Sequence, residues 1–536
     1  MKNNDGSSTS AAYTRQYCIR NVWIYALVGG TVFRLIIVLL SLFLDFPSLQ
    51  SNSAMAAASV NPLYTMKRVR EGQFLSSLSD NFRCMNKNGG VIVGCSIWDT
   101  DHALSRLPPP LVLAAMEPLR LVSTTWQDIW IGLLLLAVDL GIAFCIYQIG
   151  CQQACVSLES KWEENLETKM DARIRPRWAW VFGIPLSPPQ RPVVVEENEE
   201  TDKQSSKGTE KDAKGESLIP DQVVSLNELP YIASMVYYCN PVFVVAMNMQ
   251  SLQSLSYLLI LLALREIGQA HARQKNNISL ATFYLALACH MEVFPWVYIV
   301  PISILISQQS SGRYTIRRAL FECIIFFLFW TACLCILTHL LVGGDSWWKP
   351  LTRMYGHLFM FQGLGPNMGL HWYFQMMSFD RFKQYFAVLM SGLPYVFIMP
   401  LAVRLHRYPI ILATIYAFLW VLFKPVSTLY DLAVVLPMLL WSPRSMARMG
   451  NVSLISILAL MVPVSLFVLD HWMWLETGSG NANFIFFQCL AYNVFIAAIL
   501  LDFVVGSVMR QKVLRYTEKQ SLKKTGETSE TTSKIF

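Results

Sequence analysis

Four apolar runs, at 22–44, 126–149, 452–474 and 484–508, are each long enough to cross the roughly 30 Å hydrocarbon core of a bilayer. Water is absent from that core, so such runs fold as helices whose backbone groups bond internally. Further apolar segments crowd the chain from residue 229 onward, at about 229–249, 251–268, 279–293, 295–308, 316–343, 384–403, 409–424 and 427–441. The expected fold is all-α, a polytopic membrane helical bundle with about twelve transmembrane segments. Only 15% of the residues are charged, against roughly 25% in soluble domains, which sets the soluble classes aside.

Charge orients the bundle. Basic residues gather in the connections at 265–275, 313–318, 404–407 and 444–448 and in the tail from 510. With twelve spans these all fall on the side of the N-terminus, as expected for cytosolic connections. The net charge of +7 is thus an orientation signal, and no nucleic-acid partner is expected. The divisions that follow are a cytosolic tail at 1–21 and two spans within 22–150, joined by a long first lumenal loop at 46–123. A charged cytosolic linker occupies 151–226 and is expected to be disordered at about 191–218. The multi-span body at 227–509 carries lumenal loops at 344–383 and 475–483, and 510–536 is a cytosolic tail. The sequons at Asn277 and Asn451 fall on the cytosolic side and should be unused.

Several residues depart from this apolar background. Arg34 sits in the middle of the first span, where a guanidinium needs a partner or a wet cavity. Asn240-Pro241, Phe294-Pro295 and Pro301 punctuate short segments and predict half-helices or kinked pairs. The twelve cysteines show no zinc-type pairing, so no metal and no cofactor is expected. Cys145, Cys289, Cys323, Cys333 and Cys335 lie in apolar runs and serve as small hydrophobes. Cys84 and Cys95 share the lumenal loop, where a local disulfide between them is expected.

The stretch ETGSGNANF at 476–484 is the leading candidate site. From Thr477 to Phe484 it has no charged side chain, yet it carries the amides Asn481 and Asn483 between two spans. A neutral pocket of amide donors and acceptors at a membrane surface suits sugar hydroxyls or an ethanolamine-phosphate better than an ion. The plainer reading is that Asn483 N-caps the last helix and the glycines make a turn. In the loop 344–383, LGPNMGLHWYF offers Asn367, Trp372 and Tyr373, either as contacts or as an interfacial aromatic belt. In FKPVSTLYD, Lys424 and Asp431 lie near a lumenal mouth, where Lys424 either holds a lipid phosphate or pairs with Asp431 to close a hairpin. WDTD at 98–101 has the carboxylate spacing of a sugar transferase, but two acidic residues two apart are common by chance.

Seven strings in order carry a resemblance: KRVREG (67–72), YCNP (238–241), FPWVYIVP (294–301), GPNMGLHWYF (365–374), PLAVRLHRYPI (400–410), FKPVSTLYD (423–431) and GSGNANF (478–484). Together they resemble the U subunit of glycosylphosphatidylinositol (GPI) transamidase, over most of the chain from Arg34 to about Lys512. That family is related to the GT-C lipid-linked sugar transferases, so the resemblance implies a GT-C-like bundle in the endoplasmic-reticulum membrane. It also implies a complex in which a cysteine-protease-like subunit does the chemistry, with further membrane and lumenal companions. The U subunit then binds the GPI glycolipid among membrane lipids and presents its ethanolamine-phosphate. Carried over residue by residue, the family's SxNxNF turn falls on Ser479, Asn481 and Asn483, and its FKxxxTxxD pattern on Lys424, Thr428 and Asp431. The Cys84–Cys95 interval looks like an insertion, and the linker 191–218 is longer than the family's.

The alternative is an active GT-C mannosyltransferase using dolichyl-phosphate-mannose, with Asp99 or Asp101 as its carboxylate. A transporter would need ionic residues lining several helices at mid-depth, and only Arg34, Asp139 and Glu292 are eligible.

Overall fold

The computed structural model of the chain describes residues 5–43, 54–61, 124–159, 226–268, 277–309, 315–342 and 365–533, with short pieces between 65 and 118 and at 178 and 181. The Cys84–Cys95 pairing, the WDTD string, the linker 191–218 and the first part of the loop 344–383 lie outside the described residues.

Helix α1 (Asp5–Phe43) leads to a short α2 (Ala54–Ser59). The first loop contains a small antiparallel pair, β1 (Arg83–Met85) and β2 (Val91–Val93), registered Arg83 to Val93. An all-α expectation did not include this ribbon. It also contains α3 (Pro110–Met116), whose seven residues rise only about 10 Å, far short of a span. Helix α4 (Thr124–Glu159) packs on α5 (Leu229–Tyr238), which is followed by α6 (Pro241–Asn248). Then come α7 (Gln253–Gly268), α8 (Ile278–Met291), a 3-10 turn at Phe294–Tyr298, α9 (Ile299–Gln309) and α10 (Ile316–Val342).

The second half contains α11 (His371–Met377), α12 (Asp380–Val396), α13 (Ile398–Leu405), α14 (Pro409–Phe423) and α15 (Leu429–Val435), with a 3-10 turn at Leu436–Trp441. It closes with α16 (Pro443–Met446), α17 (Asn451–Ala459), α18 (Met461–Leu475) and the long α19 (Ala482–Ser533).

Among the described residues six helices are long and apolar enough to cross a membrane: Cys18–Ile37, Trp126–Ala154, Ile316–Leu340, Asp380–Leu405, Asn451–Leu475 and Ala482–Tyr516. The pair α5 and α6, bent by 42°, is apolar enough to be a broken seventh span or a re-entrant loop. Its break follows from sequence. Proline at 241 forbids a continuous helix, Asn240 turns extended before it, and the Asn240 side chain caps α6 by accepting from Val242 N at 3.0 Å. The break also frees the Tyr238 carbonyl, which accepts from Arg34 at 2.7 Å.

The remaining apolar helices are shorter, and they form the interior. Helix α14 has 15 residues, a rise of about 22 Å, and nearly all of its side chains are buried. Its neighbours α9, α15 and α19 wrap it, while α10 turns Phe321, Leu328, Phe329 and Leu340 outward. An outward apolar face of this kind is what lipid or a partner helix covers. Among the described residues the short apolar helices are thus buried, the long α1 and α10 are mostly exposed, and the long α4 and α19 each give one face to the core.

The bundle has two distinct ends. At one, Gln308 donates to the His406 and Arg407 carbonyls, the Arg510 guanidinium lies 4.7 Å from the Tyr408 ring centroid, and Gly506 packs against the Ser445 carbonyl. The basic connections 404–407 and 444–448 and the start of the basic tail therefore share one end. At the other end lie the turn 476–484 and the loop that leads into α11. Along α19 the distance from Asn483 to Arg510 is about 40 Å, the thickness of a bilayer with its head-groups.

Candidate functional site

Helix α18 ends where the chain turns back over its own last carbonyls. Thr477 N donates to Trp472 O at 3.2 Å, and Ser479 N and Gly480 N both reach Met473 O, at 3.1 and 2.9 Å. Two glycines make this turn possible. Gly478 is left-handed with φ +65°, and a Cβ on Gly480 would sit 2.7 Å from Trp474 N. The Thr477 and Ser479 hydroxyls face each other at 2.6 Å, so Ser479 spends much of its capacity inside the turn.

The two amides divide the work. Asn481 caps α19, its Oδ1 accepting from Asn483 N at 3.1 Å. The cap is therefore Asn481, one position before the helix, and not Asn483 as the plainer sequence reading had it. Asn483 instead points away from the helix, and its Oδ1 accepts from the Tyr373 hydroxyl at 2.7 Å. Both asparagines are exposed, and their Nδ2 groups have no protein acceptor among the described residues.

Tyr373 comes from the predicted lumenal loop 110 residues earlier. Its ring stacks on Phe486 of α19 with centroids 3.9 Å apart and planes 13° apart. Asn367 and Trp372 are buried beneath it. Asn367 closes a tight turn by accepting from Gly369 N at 2.8 Å, and its carbonyl accepts from Cys489 Sγ. The next carbonyl, of Met368, accepts from Asn493 Nδ2 at 2.9 Å, so α19 holds this loop at two points. Trp372 packs near Trp474 at the end of α18. Burial holds the His371 imidazole down to about 4, so it is neutral at ordinary pH. Of the three predicted loop residues, Tyr373 alone reaches the amide pair; Asn367 and Trp372 support it.

The FKPVSTLYD hairpin lies directly under this loop, since a Cβ on Gly369 would touch Ser427 at 3.4 Å. Thr428 and Asp431 form a reciprocal capping box at the start of α15. Lys424 is buried and bridges Glu292, at 2.6 Å, and Asp431, at 3.0 Å. The geometry is that of the hairpin-closing ion pair, extended by a second carboxylate that the sequence did not connect to it. Tyr257 and Gln253 of α7 also donate to Asp431, the first at 2.6 Å. Glu292 in turn accepts from Trp420 Nε1 at 3.0 Å.

Arg34 meets Asp139 at 3.0 Å, with its guanidinium also over the Tyr238 ring and Tyr237 donating to the same carboxylate. The three ionic residues that a transporter would have needed are all engaged in these two buried clusters. No group of three or more metal-ligating side chains occurs among the described residues. The structure thus brings three predicted strings into one place: an exposed neutral corner, an aromatic shelf that supports it, and a buried charged floor.

Comparison with known proteins agrees with this reading of the strings. The sequence model of the family described as GPI transamidase subunit PIG-U matches residues 95–492, which includes all of the strings except KRVREG. The GPI transamidase component GAB1 of Saccharomyces cerevisiae is 29% identical over 235 residues, covering 42% of this chain and 55% of that protein. The GPI-anchor transamidase component PIGU of Homo sapiens is 23% identical over 245 residues, covering 45% of this chain and 56% of that protein. The GAB1 homolog of Schizosaccharomyces pombe is 29% identical over 244 residues, 43% of this chain and 57% of its own length. The chain thus spans about half the length of the curated relatives it matches. With the family's pattern running through the corner, the shelf and the hairpin alike, the chain belongs to the GPI transamidase subunit PIG-U family.

Proposed function

We propose that this protein is a non-catalytic subunit of a GPI transamidase that binds the GPI glycolipid and presents it for attachment to proteins. The observation that carries the reading is the bond from Tyr373 to Asn483, which joins two separate lumenal segments into one uncharged, exposed corner. In this reading the free Nδ2 groups of Asn481 and Asn483 donate to phosphate or hydroxyl oxygens of the head-group. The Tyr373–Phe486 stack offers an apolar edge to the face of a sugar ring. Acyl chains lie along the outward apolar faces, and a partner subunit supplies the nucleophile. The contribution is positional: a head-group held in place reacts as if at high local concentration.

The wider assignment follows the same reading. The chain resides in the endoplasmic-reticulum membrane with its basic end and both termini cytosolic. The bundle is GT-C-like with about twelve crossings, the shorter interior helices serving as the remaining ones. Lys424, Thr428 and Asp431 act as the floor under the loop rather than as head-group contacts, because their polar atoms are already engaged with one another, with Glu292 and with α7. The other partners are the cysteine-protease-like subunit and its companions.

Asn481→Lys tests the site by placing an unwanted cation at the corner. In cells with no other copy, anchoring of a reporter protein is expected to fall while the complex still assembles. Normal anchoring with the variant as sole copy would contradict the assignment.

A further inference from the structure

One acidic residue at the corner's end of the bundle has an unused acceptor. Asp470 of α18 is half-buried, and its Oδ2 accepts from Gln488 Nε2 of α19 at 3.1 Å. Its Oδ1 has no donor among the described residues and is not enclosed by protein. Four other acids within the helices have donors on both oxygens. Asp139 takes Arg34 and Tyr237, and Glu292 takes Lys424 and Trp420. Asp431 takes Lys424 on one oxygen and Thr428 N on the other. Both oxygens of Asp502 accept from Gly450 N, and one of them from Ser453 as well. Of these five acids, Asp470 alone has an oxygen left over.

Its surroundings are apolar. Leu466, one turn away on α18, and Leu469 are exposed, as are Phe484 and Phe487 on α19. The carboxyl group therefore sits at the edge of an outward apolar face, where an ionisable side chain with a single amide partner is costly and marks a binding position. Asp470 is five residues before the end of α18 and Gln488 six after the start of α19, so the pair lies about 8–9 Å below the turn 476–484. Asn481 and Gln488 are seven residues, two helical turns, apart and share one side of α19, with the exposed Phe484 between them. A head-group layer is about 5–7 Å thick on each side of a bilayer. With the turn at the lumenal surface, the pair sits at the base of that layer, where a lipid phosphate and the sugar it carries lie.

We infer that Asp470 Oδ1 accepts from a primary ammonium on the membrane-proximal sugar of the bound glycolipid, the amino sugar that a GPI head-group carries next to its inositol phosphate. An ammonium has three donors and no acceptor, so it complements an open carboxyl oxygen through a charge-assisted bond. Oδ1 can accept in either protonation state of the carboxyl group, so the geometry does not hinge on its charge. Asn481, about 10 Å higher on the same side of α19, then meets oxygens further along the glycan, and the head-group is held at two heights. This inference rests on the glycolipid reading of the corner and adds a second point of contact for the same ligand.

The test uses the native complex in phosphatidylcholine nanodiscs, titrated with glucosaminyl-phosphatidylinositol and with its N-acetylated counterpart, which lacks the ammonium. The wild-type complex is expected to bind the amine form about tenfold more tightly. Asp470→Leu, apolar on an outward membrane face, should bring that ratio near one with the complex intact. Equal binding of the two lipids by the wild type overturns the inference, and so does binding of neither. The corner reading stands or falls separately, on Asn481→Lys and reporter anchoring. A preserved ratio in Asp470→Leu also overturns the inference, as does release of a subunit by that variant, since the oxygen then faces a partner helix. A ratio abolished by adding phosphatidylethanolamine to the nanodiscs assigns the ammonium to bulk lipid and overturns it as well. If Asp470→Leu fails to fold, the comparison of the two lipids in the wild type decides alone.

Discussion

Gly480 has no room for a side chain, because the atoms a Cβ would meet at 2.7 and 2.9 Å belong to the backbone of Trp474 and cannot rotate away. Gly480→Ala should therefore open the turn and destabilise the fold by about 1–3 kcal/mol. Gly478→Ala, in open space at φ +65°, meets only the left-handed backbone cost of about 1 kcal/mol and should lose less than Gly480→Ala. Unfolding temperatures of the two variants side by side measure this, and equal losses would show that crowding at Gly480 is relieved. At this scale the sequence was informative about chemistry and silent about division of labour. An uncharged pair of amides between two spans is visible in a string of letters. Which amide caps the helix and which one faces Tyr373 depends on where one helical turn begins, and two asparagines two residues apart do not reveal it. Glu292 was legible as an odd acidic residue, but its bond to Lys424 crosses 132 residues of chain and leaves no local signal.

At the scale of elements, the bent pair α5–α6 shows how a break and a buried charge support each other. The Asn240 side chain takes Val242 N, the helical donor Tyr238 O would have had, and Arg34 satisfies that freed carbonyl while paired to Asp139. Arg34→Met alone leaves Asp139 buried without its counter-ion and should cost about 3–5 kcal/mol. The double variant Arg34→Met, Asp139→Leu removes both charges and should recover much of that loss. A double-mutant cycle on unfolding in detergent checks the coupling, and strictly additive losses would mean the pair does not interact. The kink itself was readable from Asn240-Pro241, since proline excludes a continuous helix. The lengths of the interior helices were less so. Continuous apolarity marks both a span and a buried core segment, and α14, at about 22 Å, is apolar because protein surrounds it. The strand pair β1–β2 had no alternating pattern long enough to be noticed, with three residues on each side.

For the whole molecule, the separation of a basic end from an aromatic and amide end organises everything else. The charge pattern predicted that separation, and α19 spans it as a single rod. Its physical basis is the bilayer: basic connections are retained on one side, and the other is left free to build a neutral surface. The central claim, that the corner at Ser479, Asn481 and Asn483 meets the GPI head-group on the lumenal side, is most directly tested by a photoreactive amino acid placed at Phe484 or Ser479. Irradiation of native membranes, followed by recovery of the chain, is expected to yield a covalent GPI adduct that is lost when the same probe sits at Arg407 on the opposite end. Adducts that form equally from Arg407, or a complete absence of GPI adducts at both corner positions, would contradict it.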